Sequence, residues 1–252
     1  MKKILLINII ILMFFFCDLK IKAHTVIVGG YIFPPFIEEM QDNYFGLALD
    51  MIEIMNKFQD KYDFQFVLTS SKRRYIDFET KKYDMILFES INWGWKDKDI
   101  QASKVFLKGG EVYITIATPA KNQNFFNNLK NKSIGGYLGY HYGFANFNAD
   151  ENFLKESFNI ELTTSHERNI KKVILERIDI AVITQSYLKS YFIRNPYLKN
   201  KILISDKLDQ EYNHTILVRK NIKPSIKEIN ELLTKMEIAN VLSDIWKKYG
   251  IE

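Results

Sequence analysis

The sequence predicts an α/β protein. Short apolar or β-branched runs alternate with stretches of helical periodicity, first over residues 25–88 and again over 111–184. Such alternation implies sheets built largely from parallel strands, with helices as the crossovers. The chain of 252 residues is also long enough for one large domain or two compact lobes.

The first unit starts with Thr25–Tyr31, a β-branched run that ends in Gly29-Gly30, and Pro34-Pro35 then forces an extended loop. Over Gly46–Gln59 the apolar residues Leu47, Met51, Ile52, Met55 and Phe58 recur at helical spacing. A strand is expected at Phe64–Thr69, a helix at about Arg73–Lys82 opened by Ser70 or Ser71, and a buried strand at Met85–Phe88. Ligands of such parallel sheets sit at the carboxyl ends of the strands, which points to Tyr31–Phe36, Thr69–Arg74 and Glu89–Trp95.

Glu111–Thr118 is a strand that Pro119 ends, and a second unit follows it. A helix near Phe125–Asn131 precedes a strand and loop at Ser133–Gly143. A helix near Glu151–Phe158, a strand at Ile160–Thr164, a helix at Glu167–Arg177 and a strand at Ile180–Thr184 continue the alternation. A short helix at Ser186–Arg194 stops before Pro196, and Ile202–Ser205 leads to a strand at His214–Arg219. From Pro224 to Tyr249 the periodicity gives two helices or one broken helix, finished by Gly250.

The amino terminus points to export. Lys2 and Lys3 precede an almost unbroken apolar run from Ile4 to Cys17, and a short polar stretch ends at Ala23, the order of a secretory signal peptide. About 14 apolar residues are too few to span a bilayer, which needs about 20. Cleavage after Ala23 is therefore expected, and with it a periplasmic location. A lipid anchor on Cys17 is the less favoured alternative, because Phe14, Phe15 and Phe16 put bulky rings where a lipoprotein signal has small residues. The segment holds four Lys and one Asp, so its loss takes the net charge from +5 to +2. A charge of +2 is no nucleic-acid footprint. Cys17 is the chain's single cysteine, so the cleaved protein carries neither disulfides nor thiolate metal sites.

Three stretches together resemble the family 3 extracellular solute-binding proteins. Gly30-Tyr31-Ile32-Phe33-Pro34-Pro35-Phe36 with Gly46-Leu47-Ala48-Leu49-Asp50 is similar to that family's opening strand, aromatic loop and first helix. Glu176–Ile183 resembles its acidic turn and late second-lobe strand, and Ile245–Ile251 its closing helix. The resemblance implies two α/β lobes with central mixed sheets joined by a two-strand hinge, the type II periplasmic-binding-protein fold. Lobe one would be residues 24–115 with 206–252 and lobe two 116–205, with the hinge near Tyr113–Thr118 and Ser205–Thr215. It further implies a monomer that binds a small polar, amino-acid-like solute between the lobes for an ABC importer or a sensor receptor.

The candidate ligand contacts come from four stretches. Tyr31 and Phe33 offer rings at a strand end, where they can cover the apolar part of a solute. Arg73 and Arg74 stand at a strand-to-helix turn, where a guanidinium can grip a carboxylate. Glu89, Ser90, Trp93 and Trp95 follow a buried strand, and indoles beside a carboxylate suit a flat or cationic group. Tyr140 and His141, between Gly139 and Gly143, match in position the family's second-lobe loop, and Thr184 ends the late strand. Phe36 is expected in the core and Asp50 as a structural residue of its helix.

The departures from the family pattern count as well. Members that bind α-amino acids place an Arg after the serine-containing strand end and an Asp at the end of the late strand. Here the first region reads Ile91-Asn92-Trp93-Gly94-Trp95-Lys96, and Gln185 stands where the Asp would be. An ordinary α-amino acid is thereby in doubt, and Arg73 or Arg74 with Glu89 would make a different charge pattern. No nucleophile motif, metal spacing or phosphate loop is found, so neither a cofactor nor a metal is expected. Two other functions stay open: an enzyme with Glu89 and His141 as acid and base, and an accessory protein that kept the fold and lost the solute site.

Overall fold

A computed structural model describes residues 22–251. The expected signal segment lies outside the described residues except for its last two, and so does Cys17. No helix among the described residues is long and apolar enough to cross a membrane.

The first lobe is built on β1 (His24–Gly30), β4 (Tyr62–Leu68) and β5 (Met85–Glu89). β1 lies between the other two and pairs with both in parallel, as the βαβαβ order requires. Helix α1 (Leu47–Lys57) packs Leu47, Ala48, Met51, Ile52 and Met55 inward, one face at helical spacing. Each large side chain so buried contributes about 1.5–3 kcal/mol. Gly46 opens this helix at φ 125°, where a Cβ would sit 2.6 Å from the Phe36 carbonyl oxygen. Only glycine lets the helix start so close to the aromatic loop. α2 (Arg74–Glu79) is shorter than the expected helix. A hairpin of β2 (Glu38–Met40) and β3 (Asn43–Phe45) and the short β6 (Ile100–Ala102) have no counterpart in the sequence reading.

The second lobe carries β8 (Ile134–Tyr137), β9 (Ile160–Thr163) and β10 (Ile180–Thr184), with β8 central and parallel to both neighbours. α3 (Glu151–Ser157), α4 (His166–Ile174) and α5 (Gln185–Arg194) fall where periodicity put them. The helix expected near Phe125–Asn131 is instead a 3-10 turn over Gln123–Phe126, because the run is too short and polar to bury a helical face.

Two long strands join the lobes: β7 (Leu107–Ile116) and β11 (Ile202–Arg219). They pair antiparallel from His214↔Leu107 to Ile202↔Ile116. β11 also pairs with β5 through Thr215–Val218, while β7 pairs with β10 from Glu111 onward. On β7 the ladder with the second lobe thus begins before the expected hinge at Tyr113–Thr118. On β11 the expected gap between Ile202–Ser205 and His214–Arg219 is continuous strand. Polar residues hid it: Gln210, within that gap, is buried in the crossing rather than exposed in a loop.

At the carboxyl end, α6 (Ile226–Ile238) and α7 (Val241–Lys248) are two helices. α6 opens with a capping box, Ser225 accepting from the Glu228 amide while Glu228 accepts from the Ser225 amide. Lys248 and Tyr249 bind the Asp50 carboxylate of α1. Asp50 therefore ties the chain's end to the first lobe, and Phe36 lies in the core against Phe88 and His214.

Candidate functional site

The strand ends of the first lobe, the loop after β8 and the two crossing strands converge on one point. β1 delivers Tyr31 and Phe33, the turn into α2 delivers Arg74, and the segment after β5 delivers Trp93. Gly139, Tyr140 and His141 face them from the second lobe, with Gln210 and Tyr212 of β11 as the floor. Phe33 meets Tyr140 edge to face at 5.3 Å across the two lobes, and Trp93 meets Tyr212 at 5.0 Å. The cavity between them measures about 10 Å³, which is room for about one water.

One wall holds a buried ion pair. Arg74 Nε lies 3.1 Å from Glu89 Oε1, with the side chains 1% and 0% exposed. The guanidinium sits between the Tyr31 and Tyr75 rings, 4.7 and 4.5 Å from their centroids, and also donates to the Ser71 carbonyl. Trp95 Nε1 donates to the other oxygen, Glu89 Oε2, at 2.8 Å. Burial holds the Glu89 carboxyl above the usual carboxylate range, with Arg74 and then Trp95 and Tyr31 opposing that rise. Trp95 is the hydrogen-bond donor to the carboxylate, and its other oxygen faces the Arg74 charge as an ion-pair contact without an aligned hydrogen bond. Desolvating two charges costs several kcal/mol per ion, and set against that cost are the ion pair itself, the Trp95 hydrogen bond and the tyrosine rings on the guanidinium.

Backbone geometry aims Glu89. The steps from Ile86 to Glu89 on β5 face the shorter run from Leu217 to Thr215 on β11, a bulge in the ladder. Phe88, inside it, takes φ +57°. A left-handed conformation at a buried, bulky residue is an outlier, and bulges beside sites re-aim side chains.

The hinge floor contains a second buried acid. Glu111 is 0% exposed. Burial first, and the neighbouring Asp209 second, push its pKa up to about 8. Gln210 Nε2 donates to Glu111 Oε2 at 2.9 Å and also to the His141 carbonyl, while Gln210 Oε1 accepts from Trp93 Nε1 at 3.0 Å. One amide thus connects the first lobe, the hinge and the second lobe. Asp209 accepts from the Tyr113 hydroxyl at 2.5 Å and from the Gly143 and Phe144 amides at 2.7 and 3.0 Å. It fixes the loop carrying His141 to β11.

The second-lobe wall is uncharged. His166 Nε2 lies 3.1 Å from Thr184 Oγ1 and 3.4 Å from the Tyr140 hydroxyl, and Tyr140 stacks on Tyr137 at 4.5 Å. Burial lowers His166 to about 3, and burial followed by the Arg74 charge lowers His141 to about 3. Gly139 approaches the first lobe so closely that a Cβ would meet Ser71 Oγ at 2.4 Å. At the rim Lys72 pairs with Glu151 across the lobes.

Of the sequence candidates, Tyr31, Phe33, Arg74, Trp93, Tyr140 and His141 line the cavity. Glu89 stands directly behind Arg74. Ser90 is buried beside it, and its hydroxyl accepts from the Asn92 amide at 3.3 Å. Thr184 supports His166 one layer back. Trp95 is instead inside the first lobe, against Tyr75 and Phe78, because its indole must reach Glu89 from behind. Arg73 is also out of place for a contact: its side chain is 72% exposed and pairs with Asp77 at 3.5 Å on the helix surface. Residues one turn apart share a helix face and adjacent ones do not, so only one of the two arginines can point inward.

Sequence reasoning missed Glu111, Gln210 and Tyr212. Glu111 alone carried a signal, a carboxylate directly before the largely apolar run Val112–Ile116 within β7. Among the described residues no cluster of three or more metal-ligating side chains occurs.

No family model matches the chain, and no curated protein matches it. Solved structures do. The GluR0 ligand-binding core in complex with L-glutamate superposes with a TM-score of 0.70 at 15% identity, covering 90% of this chain and 98% of that one. An ancestral arginine-binding protein bound to arginine gives 0.66 at 17%, covering 90% and 99%. The ancestral amino acid-binding protein AncCDT-1, a precursor of cyclohexadienyl dehydratase, gives 0.68 at 17%, covering 89% and 95%. Together with the two lobes, the two crossing strands and the cavity between them, these likenesses establish that the chain has the type II periplasmic-binding-protein fold.

Proposed function

We propose that the protein is an exported solute-binding protein that closes its lobes on a small polar solute and releases it unchanged to an inner-membrane ABC permease or a receptor. The observation that carries this reading is a cavity with walls from both lobes and the hinge. A ligand shifts an open-closed equilibrium only by its preference for the closed state, and contacts from both sides are what supply such a preference. The proposed lobes are residues 24–115 with 206–252, and 116–205. The solved neighbours that hold glutamate or arginine support an amino-acid-sized solute.

Catalysis by Glu89 and His141 is disfavoured by their surroundings. Glu89 is committed to Arg74 and Trp95, and a histidine lowered to about 3 is a weak base at neutral pH. An accessory protein with a self-filled cleft is the competing reading, favoured by a cavity of about 10 Å³.

Thermal-shift screening against small metabolites, with solution scattering on any hit, separates the two. A ligand at 100 times its dissociation constant stabilises by about 2.7 kcal/mol and should shrink the radius of gyration. A protein already compact alone, which no metabolite stabilises or compacts, would be the accessory protein.

A further inference from the structure

We propose that the solute is a compact organic cation, an ammonium head group with no carboxylate beside it. The proposal deepens the binding reading above and rests on it.

Arg74 is the single formal cation among the described residues lining the cavity, and it is already committed. Its Nε edge faces Glu89, another nitrogen donates to the Ser71 carbonyl, and tyrosine rings cover both faces. A guanidinium grips a carboxylate through a free, two-donor edge, and here Glu89 lies against Nε as an ion-pair contact at 3.1 Å, without an aligned hydrogen bond, while the Ser71 carbonyl takes Nη1. The pair also cancels its own charge. His141, the other basic side chain on the wall, is uncharged near neutral pH, so an incoming anion would find no net positive potential.

What remains suits a cation. Tyr31, Phe33, Trp93, Tyr140 and Tyr212 surround the cavity. Aromatic faces carry the negative end of the ring quadrupole, and cages of them recognise ammonium groups. Beneath the floor lies Asp209, an acid held by the Tyr113 hydroxyl and two backbone amides, and among the described residues no cationic side chain lines the floor itself. The missing Arg and Asp clamps of the sequence agree with this wall: a solute without the paired ammonium and carboxylate of an α-amino acid does not need them.

The test is calorimetric titration of the wild-type protein with choline, its neutral isostere 3,3-dimethyl-1-butanol, L-arginine, L-glutamate and acetate. Choline is expected to bind about tenfold or more tighter than the isostere and tighter than acetate or either amino acid. Equal or tighter binding of the isostere would overturn the cation, and tighter binding of L-glutamate, L-arginine or acetate would overturn the absence of a carboxylate. In both cases the binding reading stands. If no probe binds and the metabolite screen is also silent, the binding reading falls first.

Two variants test the cause. Glu89→Gln keeps shape and frees the Arg74 charge, so choline affinity should fall and acetate affinity rise. Phe33→Leu keeps apolar bulk, so it should weaken choline while leaving the isostere unchanged, a result that does not depend on the buried pair. Equal weakening of both by Phe33→Leu would show that the ring acts by packing and would overturn the cage.

Discussion

The two walls of the cleft are built on different physics. The first-lobe wall stakes its geometry on one desolvated ion pair, Arg74 with Glu89, and on the bulge that aims it. The second-lobe wall holds Tyr140 and His141 with neutral contacts, from His166, Tyr137 and the backbone amides capped by Asp209. The difference teaches where rigidity lies. A buried charge with one partner is lost wholesale when that partner goes, whereas a stack of neutral rings loses a fraction of a contact at a time.

The largest effect should come from breaking that pair. Arg74→Met leaves the Glu89 carboxylate buried without its cation and should destabilise by about 3–5 kcal/mol. Arg73→Ala removes only an exposed partner of Asp77 and should cost under about 1 kcal/mol. Urea unfolding of both measures the contrast, and similar losses would erase the distinction between the walls.

Glu111, at the floor between them, sharpens the comparison through pH. Its pKa rises from 4.5 to about 8 on folding, so the folded state favours the protonated acid. The stability this contributes is fully present below pH 4.5 and is lost as pH climbs toward 8. Glu111→Gln abolishes this dependence, so the variant should gain on the wild type by up to about 1.4 kcal/mol per pH unit across that window. Parallel stability curves would mean that burial and Asp209 do not raise Glu111 as described.

A smaller change tests the meeting of the walls. Gly139 has φ +80° and faces Ser71, so Gly139→Ala should cost about 1–3 kcal/mol in the closed state and enlarge the radius of gyration. Combining it with Ser71→Gly should recover the steric part. The weakest effect belongs to the rim, where Lys72→Ala removes a solvated pair with Glu151 and should change stability by about 0.2–1 kcal/mol.

Much of the fold was legible because its signals are local. Leu47 to Met55 show one apolar helical face, Ile180–Thr184 reads as a buried strand, and Pro119 and Pro196 mark ends. The middle of the crossing strand was not legible as strand, since Gln210 and Tyr212 carry no period until partners such as Glu111, 99 positions away along the chain, are known. Short edge elements such as β6 escaped for the same reason: three residues carry no period.

For the site, residue chemistry and strand-end position were enough to propose Tyr31, Phe33, Trp93, Tyr140 and His141. The sequence alone determined the alternation of elements, the likeness to solute-binding proteins and the stock of rings and charges, because propensity and periodicity act over a few residues. Only the tertiary structure decided that Arg74 rather than Arg73 turns inward, that Glu89 binds it, and that Glu111 and Gln210 lie beneath both walls. Those choices depend on desolvation and on partners distant in the chain, and neither is written in any local stretch of it.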